Sequence, residues 1–249
     1  MLEIRGLTKH FLGVPALQDV SFTVERGEIA GLIGPNGSGK TTLFDCVTGF
    51  LTPDRGKMFY EGRDITSLTP HAIARLGLSR IFQQVRTFPR LTVMENLRAA
   101  GQAHQGLRIT GGLLPTKRIR RLDQALDERA MELLSALGIP GVAGLLAGIL
   151  SYGQQKLLEI AMALMPRPSL LLLDEPVAGV NPTLIETIKG YLKQLNKEGI
   201  TFLIIEHNLE VVMDLCCRVF VLHSGELIAH GPPAVVQEDE RVLEAYFGR

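Results

Sequence analysis

Eight residues, Gly34-Pro35-Asn36-Gly37-Ser38-Gly39-Lys40-Thr41, fit the pattern of a glycine, four variable residues and Gly-Lys-Thr. Glycines let successive backbone N–H groups turn inward around phosphate oxygens, where larger side chains would obstruct the cradle. The apolar run Ile29 to Ile33 precedes the motif and reads as a strand, and Thr41 to Thr48 reads as a helix whose positive end points at the same place. Lys40 is then a point charge for the β and γ phosphates of ATP, and the Thr41 hydroxyl a ligand for Mg²⁺ bridging them. Pro35, Asn36, Ser38 and Thr42 complete the expected ATP-binding segment. A second constellation follows far along the chain, where Leu170-Leu171-Leu172-Leu173 runs into Asp174-Glu175. Successive strand residues face opposite ways, so the two acids can take different work. Asp174 would hold Mg²⁺, directly or through water, and Glu175 would orient and deprotonate the water that attacks the γ phosphate.

Chemistry of this kind needs a sheet whose strand ends converge, and the sequence supplies one. Short strand candidates at Ser21 to Val24, Ile29 to Ile33 and Lys57 to Tyr60 are separated by the turn signals Arg26-Gly27 and Asp54-Arg55-Gly56. Leu170 to Leu173, Thr201 to Ile205 and Val219 to Leu222 read as strands buried on both faces of a parallel sheet. Helical spacing links Leu126, Ala130, Leu133, Leu134 and Leu137, and again Leu184, Ile188, Tyr191, Leu192 and Leu195. Helices alternating with such strands imply an α/β fold.

The bulk numbers exclude other classes. With 249 residues, 46% of them hydrophobic, the chain can bury the core of one large domain, or of one domain with a smaller lobe. Its 26 basic and 26 acidic residues cancel, which argues against nucleic acid as a partner. Cys46, Cys216 and Cys217 have no metal-type spacing and suit a reducing compartment. The first ten residues lack the apolar run of a secretory signal. Leu133 to Gln155 carries no charge and is long enough to cross a bilayer, yet Pro140 and five glycines break it into a helix end, a loop and a new start. Between Arg98 and Asp127 a looser, Gly-containing stretch and the basic run Lys117, Arg118, Arg120 and Arg121 read as a surface insertion with a solvated helix face.

Leu150-Ser151-Tyr152-Gly153-Gln154-Gln155 resembles the signature sequence of the ABC ATPases, and with the phosphate loop and acid pair in this order the likeness extends through nearly the whole chain. On its own the sextet is a good helix start with Ser151 as cap. The resemblance implies more. Ser151, Tyr152, Gly153 and Gln154 would meet the γ phosphate held by an opposite subunit, so that ATP is sandwiched in a dimer. Gln83, with Gln84 as the adjacent alternative, looks like the glutamine that touches Mg²⁺ and the attacking water while its loop contacts a membrane subunit; Gln83 follows an aromatic residue, as the family's glutamine does. His207 looks like the histidine that hydrogen-bonds the γ phosphate, and Phe11 is placed like the aromatic that stacks on adenine. The implied architecture is a P-loop α/β core over residues 1–90 and 167–249, with an antiparallel β portion near the N-terminus and a helical lobe over about 91–166.

Two departures refine the likeness. Tyr152 stands where most members carry glycine, and Ala178-Gly179-Val180-Asn181-Pro182 where a more usual member reads Ser-Ala-Leu-Asp. Both are similar to the ATP-binding subunits of branched-chain amino acid importers, as are Leu91 to Leu97, Ile205-Glu206-His207-Asn208 and the ending Glu244-Ala245-Tyr246-Phe247-Gly248. The expected protein is an ATPase on the cytoplasmic face of a membrane, without signal peptide or transmembrane helix. Its partners would be a second ATPase chain, permease subunits and, indirectly, a solute-binding protein. Urea or amide import, lipid export and a non-transport ABC ATPase are the alternatives.

Overall fold

The computed structural model describes residues 1–102 and 117–247, the side chains of 117–120 and 247 excepted. Two compact units emerge: Met1–Arg80 with Ser169–Pro176 and Lys193–Arg249, and Ile81–Pro168 with Val177–Leu192.

The first unit begins with the long strands β1 (Leu2–Phe11) and β2 (Val14–Val24), which pair antiparallel, and β1 also pairs with β4 (Arg55–Tyr60). With β5 (Arg63–Asp64) they form a sheet of order β2-β1-β4-β5. A second sheet is built around β3 (Ile29–Ile33), which runs parallel to β8 (Thr201–Ile205) on one side and to β9 (Arg218–His223) on the other. β7 (Leu170–Asp174) is parallel to β8, and β10 (Glu226–Gly231) returns antiparallel on β9; β6 (Leu78–Ile81) lies at the far edge, giving β10-β9-β3-β8-β7-β6. Every residue of β3, β7 and β8 is buried, which is why these strands read as unbroken apolar runs rather than alternating ones.

Helix α1 (Lys40–Val47) joins the two sheets in one core. Its Leu43, Phe44, Cys46 and Val47 cluster with Leu2, Ile4, Met58 and Tyr60 of the antiparallel sheet and with Leu32, Leu170, Leu172, Leu203 and Phe220 of the parallel one. At the start of β3 and β9 the Arg218 guanidinium grips both carboxylate oxygens of Glu28 at 2.7 Å and also donates to the Thr23 carbonyl at 2.7 Å. Helix α2 (Pro70–Arg75) is capped by Thr69 and leads into β6. After β8 come α7 (Leu209–Leu215), α8 (Pro233–Gln237) and α9 (Glu240–Phe247).

The second unit is helical, with α3 (Val93–Gln102), α4 (Lys117–Ala136) and α5 (Tyr152–Leu164). The spaced residues Leu126, Ala130, Leu133, Leu134 and Leu137 are all buried, as the periodicity predicts. Along α6 (Pro182–Lys197), whose residues from Lys193 on belong to the first unit, Ile188, Tyr191, Leu192 and Leu195 are buried and Leu184 is half-buried. The uncharged stretch from Leu133 breaks as expected, into two short 3₁₀ turns at Pro140–Val142 and Ala147–Ile149, before α5 starts. Among the described residues no helix is long and apolar enough to cross a membrane.

The helical unit starts ten residues earlier than the expected lobe, and it also takes in 177–192. Hydrogen bonds explain both. Lys156 Nζ donates to the Gln83 carbonyl, Arg86 N–H to Glu159, and Gly148 N–H to the Pro89 carbonyl, so the 83–89 segment is tied to this unit. Asn96, fully buried, accepts from Phe88 N–H and donates to carbonyls in the 88–92 segment. The Tyr152 hydroxyl ties Ala178 to α5. Of the expected insertion over 98–127, residues 103–116 and the side chains of Lys117, Arg118 and Arg120 lie outside the described residues, as does Gly248. Arg98 and Asp127 at its ends pair through two bonds, at 2.5 and 2.7 Å.

Truncation of a leucine buried on both faces of the sheet loses its burial and leaves a cavity. Leu172→Ala is expected to lower unfolding stability by about 3 kcal/mol, measured by denaturant titration; a loss below about 1 kcal/mol would contradict the packing described for β7.

Candidate functional site

The phosphate loop spans the turn from β3 into α1, so rigid elements fix both of its ends. Lys40 is only 6% exposed, and its ammonium donates to the Gly34 and Pro35 carbonyls, each at 2.8 Å, and to Ser38 Oγ at 3.3 Å. Burial pushes the Lys40 pKa below its ordinary value, while the Glu175 and Asp174 carboxylates pull it back up. Gly39 has φ of +103°, and a Cβ there would stand 2.4 Å from the Ala16 carbonyl of β2, so both backbone conformation and packing require glycine. Thr41, on the first turn of α1, is exposed, and Asn36 and Gly37 lie at the exposed crown of the loop. Unpaired first-turn N–H groups, a cationic side chain and the helix dipole together suit a polyphosphate chain.

Glu175 follows β7 with φ of +52°, a left-handed conformation uncommon for a non-glycine residue. Its own N–H is held by the Ile205 carbonyl at the end of neighbouring β8, at 2.9 Å. That turn carries its carboxylate to His207, where Nε2 and Oε1 are 3.0 Å apart. The segment bearing His207 is fixed in turn: buried Glu206 accepts from the N–H groups of His207 and Asn208, and Asn208 caps α7 through bonds from Glu210 and Val211 N–H. Two strands ending side by side therefore bring Glu175 and His207 together, although the sequence separates them by a whole helix.

Asp174, at the tip of β7, is buried. Burial pushes its pKa up, and Arg80, with a bond of 3.2 Å from Nη2 to Oδ2, opposes the shift. Thr41 and Asp174 supply the hydroxyl and carboxylate oxygens that Mg²⁺ accepts. Among the described residues no group of three or more His, Cys, Asp or Glu is placed to hold a metal ion. Phe11, at the end of β1, is 46% exposed, with the Lys9 ammonium 5.9 Å from its ring centroid. Its neighbours Leu12 and Val14 are exposed as well, so the hairpin tip presents apolar surface.

Within the helical unit, Ser151 caps α5 in a reciprocal box: its Oγ accepts from Gln154 N–H at 3.3 Å, and Gln154 Oε1 accepts from Ser151 N–H at 3.0 Å. The next amides, of Tyr152 and Gly153, have no acceptor within the helix and head the positive end of its dipole. They border an open cleft of about 650 Å³ that is also lined by Gly179, Asn181 and Thr183. The two sequence departures meet there. The Tyr152 ring lies over Gly179, where a Cβ would stand 3.2 Å from Cε1, and its hydroxyl donates to the Ala178 carbonyl at 3.4 Å. Asn181 Oδ1 accepts from Leu184 N–H at 2.9 Å at the start of α6, a cap that an amide makes without charge. Gln83 is exposed just beyond β6, its carbonyl taken by Lys156 at 3.2 Å; Gln84 is exposed beside it.

Several residues of consequence carry no signal in the sequence. Lys156 and Glu159, both buried on α5, hold the segment that carries Gln83. The second oxygen of Glu159 is buried, with no hydrogen-bond partner among the described residues. Arg80 joins Asp174 to Asp45 of α1. Tyr246 on α9 meets the backbone of Gly34, the first residue of the phosphate loop. A buried Lys and Glu three residues apart on an apolar helix is the one pattern that could have drawn attention.

The chain is similar to known ATP-binding cassettes. The ABC transporter family matches residues 17–178, and a branched-chain amino acid ATP-binding cassette transporter family matches residues 226–249. The high-affinity branched-chain amino acid transport ATP-binding protein BraF of Pseudomonas aeruginosa is 39% identical, over 100% of this chain and 98% of its own. A probable branched-chain amino acid transport ATP-binding protein, LivG of Archaeoglobus fulgidus, is 40% identical, over 100% and 95%. Among solved structures, a nucleotide-free ATP-binding cassette from an ABC transporter superposes with a TM-score of 0.87 at 37% identity, covering 100% of this chain and 99% of that one. A dimeric bacterial ABC transporter cassette gives 0.80 at 25% identity, covering 94% and 99%.

Burial pushes the Glu159 carboxyl up to about 7, against the attraction of Lys156, the Arg86 N–H bond and the Arg86 charge. A raised acid pKa means that the folded chain holds the proton longer, so this group's stabilising contribution is full below the ordinary value of 4.5 and falls as pH rises to about 7. Glu159→Gln removes that dependence. Compared with the variant, the wild type is expected to lose up to about 3 kcal/mol of unfolding stability between pH 5 and 7.5; parallel stability curves would contradict the assignment.

Proposed function

The chain belongs to the ABC transporter family, and on that premise we propose that it is the ATP-hydrolysing subunit of an importer for branched-chain or other hydrophobic amino acids, working as a dimer on the cytoplasmic face of the membrane. The reading rests above all on one observation: at the same sheet edge, the phosphate loop closes around Lys40 and Glu175 is turned onto His207. The likeness to the branched-chain amino acid transport proteins runs the full length of the chain, which supports the choice of cargo.

In this account the loop amides of residues 34–42 and the Lys40 ammonium bind the triphosphate, and Phe11 stacks on adenine. Magnesium would be held by the Thr41 hydroxyl and the Asp174 carboxylate, with Gln83 the further ligand that the family resemblance implies, and it would supply charge neutralisation to the phosphate chain. Glu175 takes the proton of the attacking water, and His207, whose Nε2 lies 3.0 Å from that carboxylate, is the hydrogen-bond partner of the γ phosphate. The second half of the site comes from Ser151, Tyr152, Gly153 and Gln154 of a second chain, whose unpaired amides favour an anion.

In this account a membrane partner sits on the helical unit. Exposed Phe88, Leu145, Leu146 and Ile149 lie on two segments joined by main-chain bonds from Val93 to Leu145 and from Ala147 to Leu91. Clustered apolar side chains beside the Gln83 segment suit a permease contact, and ATP-driven closure of the dimer would act through it.

Glu175→Gln is expected to retain Mg-ATP binding, to lower phosphate release by about 100-fold or more, and to elute as a dimer in ATP. Size-exclusion chromatography and a phosphate-release assay read both effects. Turnover at the wild-type rate would remove Glu175 from its role as base.

A further inference from the structure

Arg80 has no role in the reading above, yet it is tightly embedded near the hydrolysis site. It sits in β6 with its side chain 4% exposed. One guanidinium nitrogen, Nη1, donates to Asp45 Oδ1 at 2.5 Å and to Thr48 Oγ1 at 3.4 Å. The other, Nη2, donates to Asp174 Oδ2 at 3.2 Å, and the guanidinium carbon lies 5.4 Å from the centre of the Phe44 ring. Asp45 and Thr48 both belong to the helix that leaves the phosphate loop or its cap, and Asp45 follows Thr41 by four residues, on the same face one turn on. The guanidinium therefore ties the acid at the tip of β7 to the face of α1 that carries the magnesium-side hydroxyl.

Charge and geometry give this contact two consequences. Asp45 and Asp174 place two carboxylates on one guanidinium, and carboxylate oxygens are also what a divalent cation takes as ligands. A guanidinium keeps its charge at any working pH and presents donors in a rigid fork, so it can hold both acids at once where a lysine would offer a single point charge. Its bond to Asp174 uses Oδ2 and leaves the orientation of Oδ1 fixed. Building on the assignment of Asp174 to the magnesium side, we infer that Arg80 is a positioning residue of the hydrolysis site: it aims Asp174 and stands in for a divalent cation there, so that magnesium enters only with the triphosphate.

Manganese titration of the full-length chain, followed by the electron paramagnetic resonance of free Mn²⁺, tests this without relying on turnover. The wild type is expected to show no saturable Mn²⁺ binding without nucleotide and one bound ion with ATP. Arg80→Gln is expected to bind one Mn²⁺ saturably without nucleotide, at concentrations about tenfold or more below the highest at which the wild type binds none, because a short-range repulsive charge is gone. That gain should vanish in Arg80→Gln combined with Asp174→Asn, and Mg²⁺ alone should raise the unfolding temperature of Arg80→Gln but not of the wild type. Arg80→Gln indistinguishable from the wild type would overturn the inference. Should that variant fail to fold, nucleotide-free Mn²⁺ binding by the wild type that Asp174→Asn abolishes would overturn it equally, and its absence would support it. If ATP-dependent Mn²⁺ binding is itself untouched by Asp174→Asn, the assignment of Asp174 fails; if that assignment holds and Arg80→Gln gains nothing, only the role of Arg80 fails.

Discussion

A buried ammonium must have oxygen partners, and Lys40 finds its partners in the loop to which it belongs. Carbonyls of Gly34 and Pro35 and the Ser38 hydroxyl surround it, and these three bonds brace the turn of the loop. A phosphate chain arriving there offers oxygens that can replace the carbonyls, and the exchange leaves the backbone amides already in place. The rest of the first unit serves this constraint: β3 delivers the loop, α1 directs its dipole, and Ala16 presses on Gly39 from the antiparallel sheet. Two strands away, β7 ends in the acids whose charge favours the protonated lysine.

The second unit is organised around α5 in a similar way. Its capping box satisfies Ser151 and Gln154 with each other and leaves the intervening amides available to an anion. Further along the same helix, Lys156 and Glu159 grip the segment of Gln83, while Tyr152 lies over Gly179. One helix thus holds the segment of Gln83, to which the resemblance assigns contact with magnesium and a membrane subunit, and the segment of Gly179. Gly179, at φ of +72°, leaves room for a tyrosine ring that a side chain there would displace, which makes sense of the two departures occurring together.

Local signals made the phosphate loop and the acid pair legible. Glycine spacing, an apolar run and a helix start are all contiguous, and the buried strands Leu170 to Leu173, Thr201 to Ile205 and Val219 to Leu222 announce themselves by composition. Contacts across the chain left no such trace. Arg80 reaches partners 35 and 94 residues away, and the lysine that holds Gln83 is 73 residues on, distances at which residue type alone cannot pair one side chain with another. β1 escaped notice because a register shift after Ile4 breaks the alternation of buried Leu2 and Ile4 with Glu3 and Arg5, so that buried Leu7 falls out of phase with them. The unit boundary at Ile81 was hidden for a related reason: side chains of α5, not a change of composition, claim the 83–89 segment.

The central claim is that main-chain amides of one chain, and the capped helix of another, close on the same triphosphate. Hydrogen exchange read by mass spectrometry measures those amides directly. With Mg-ATP under conditions where hydrolysis is blocked, the account predicts slowed exchange in peptides covering 34–42, and in peptides covering 151–155 only at protein concentrations that give the dimer. Unchanged exchange over 34–42, or protection of 151–155 in a chain that stays monomeric, would contradict it.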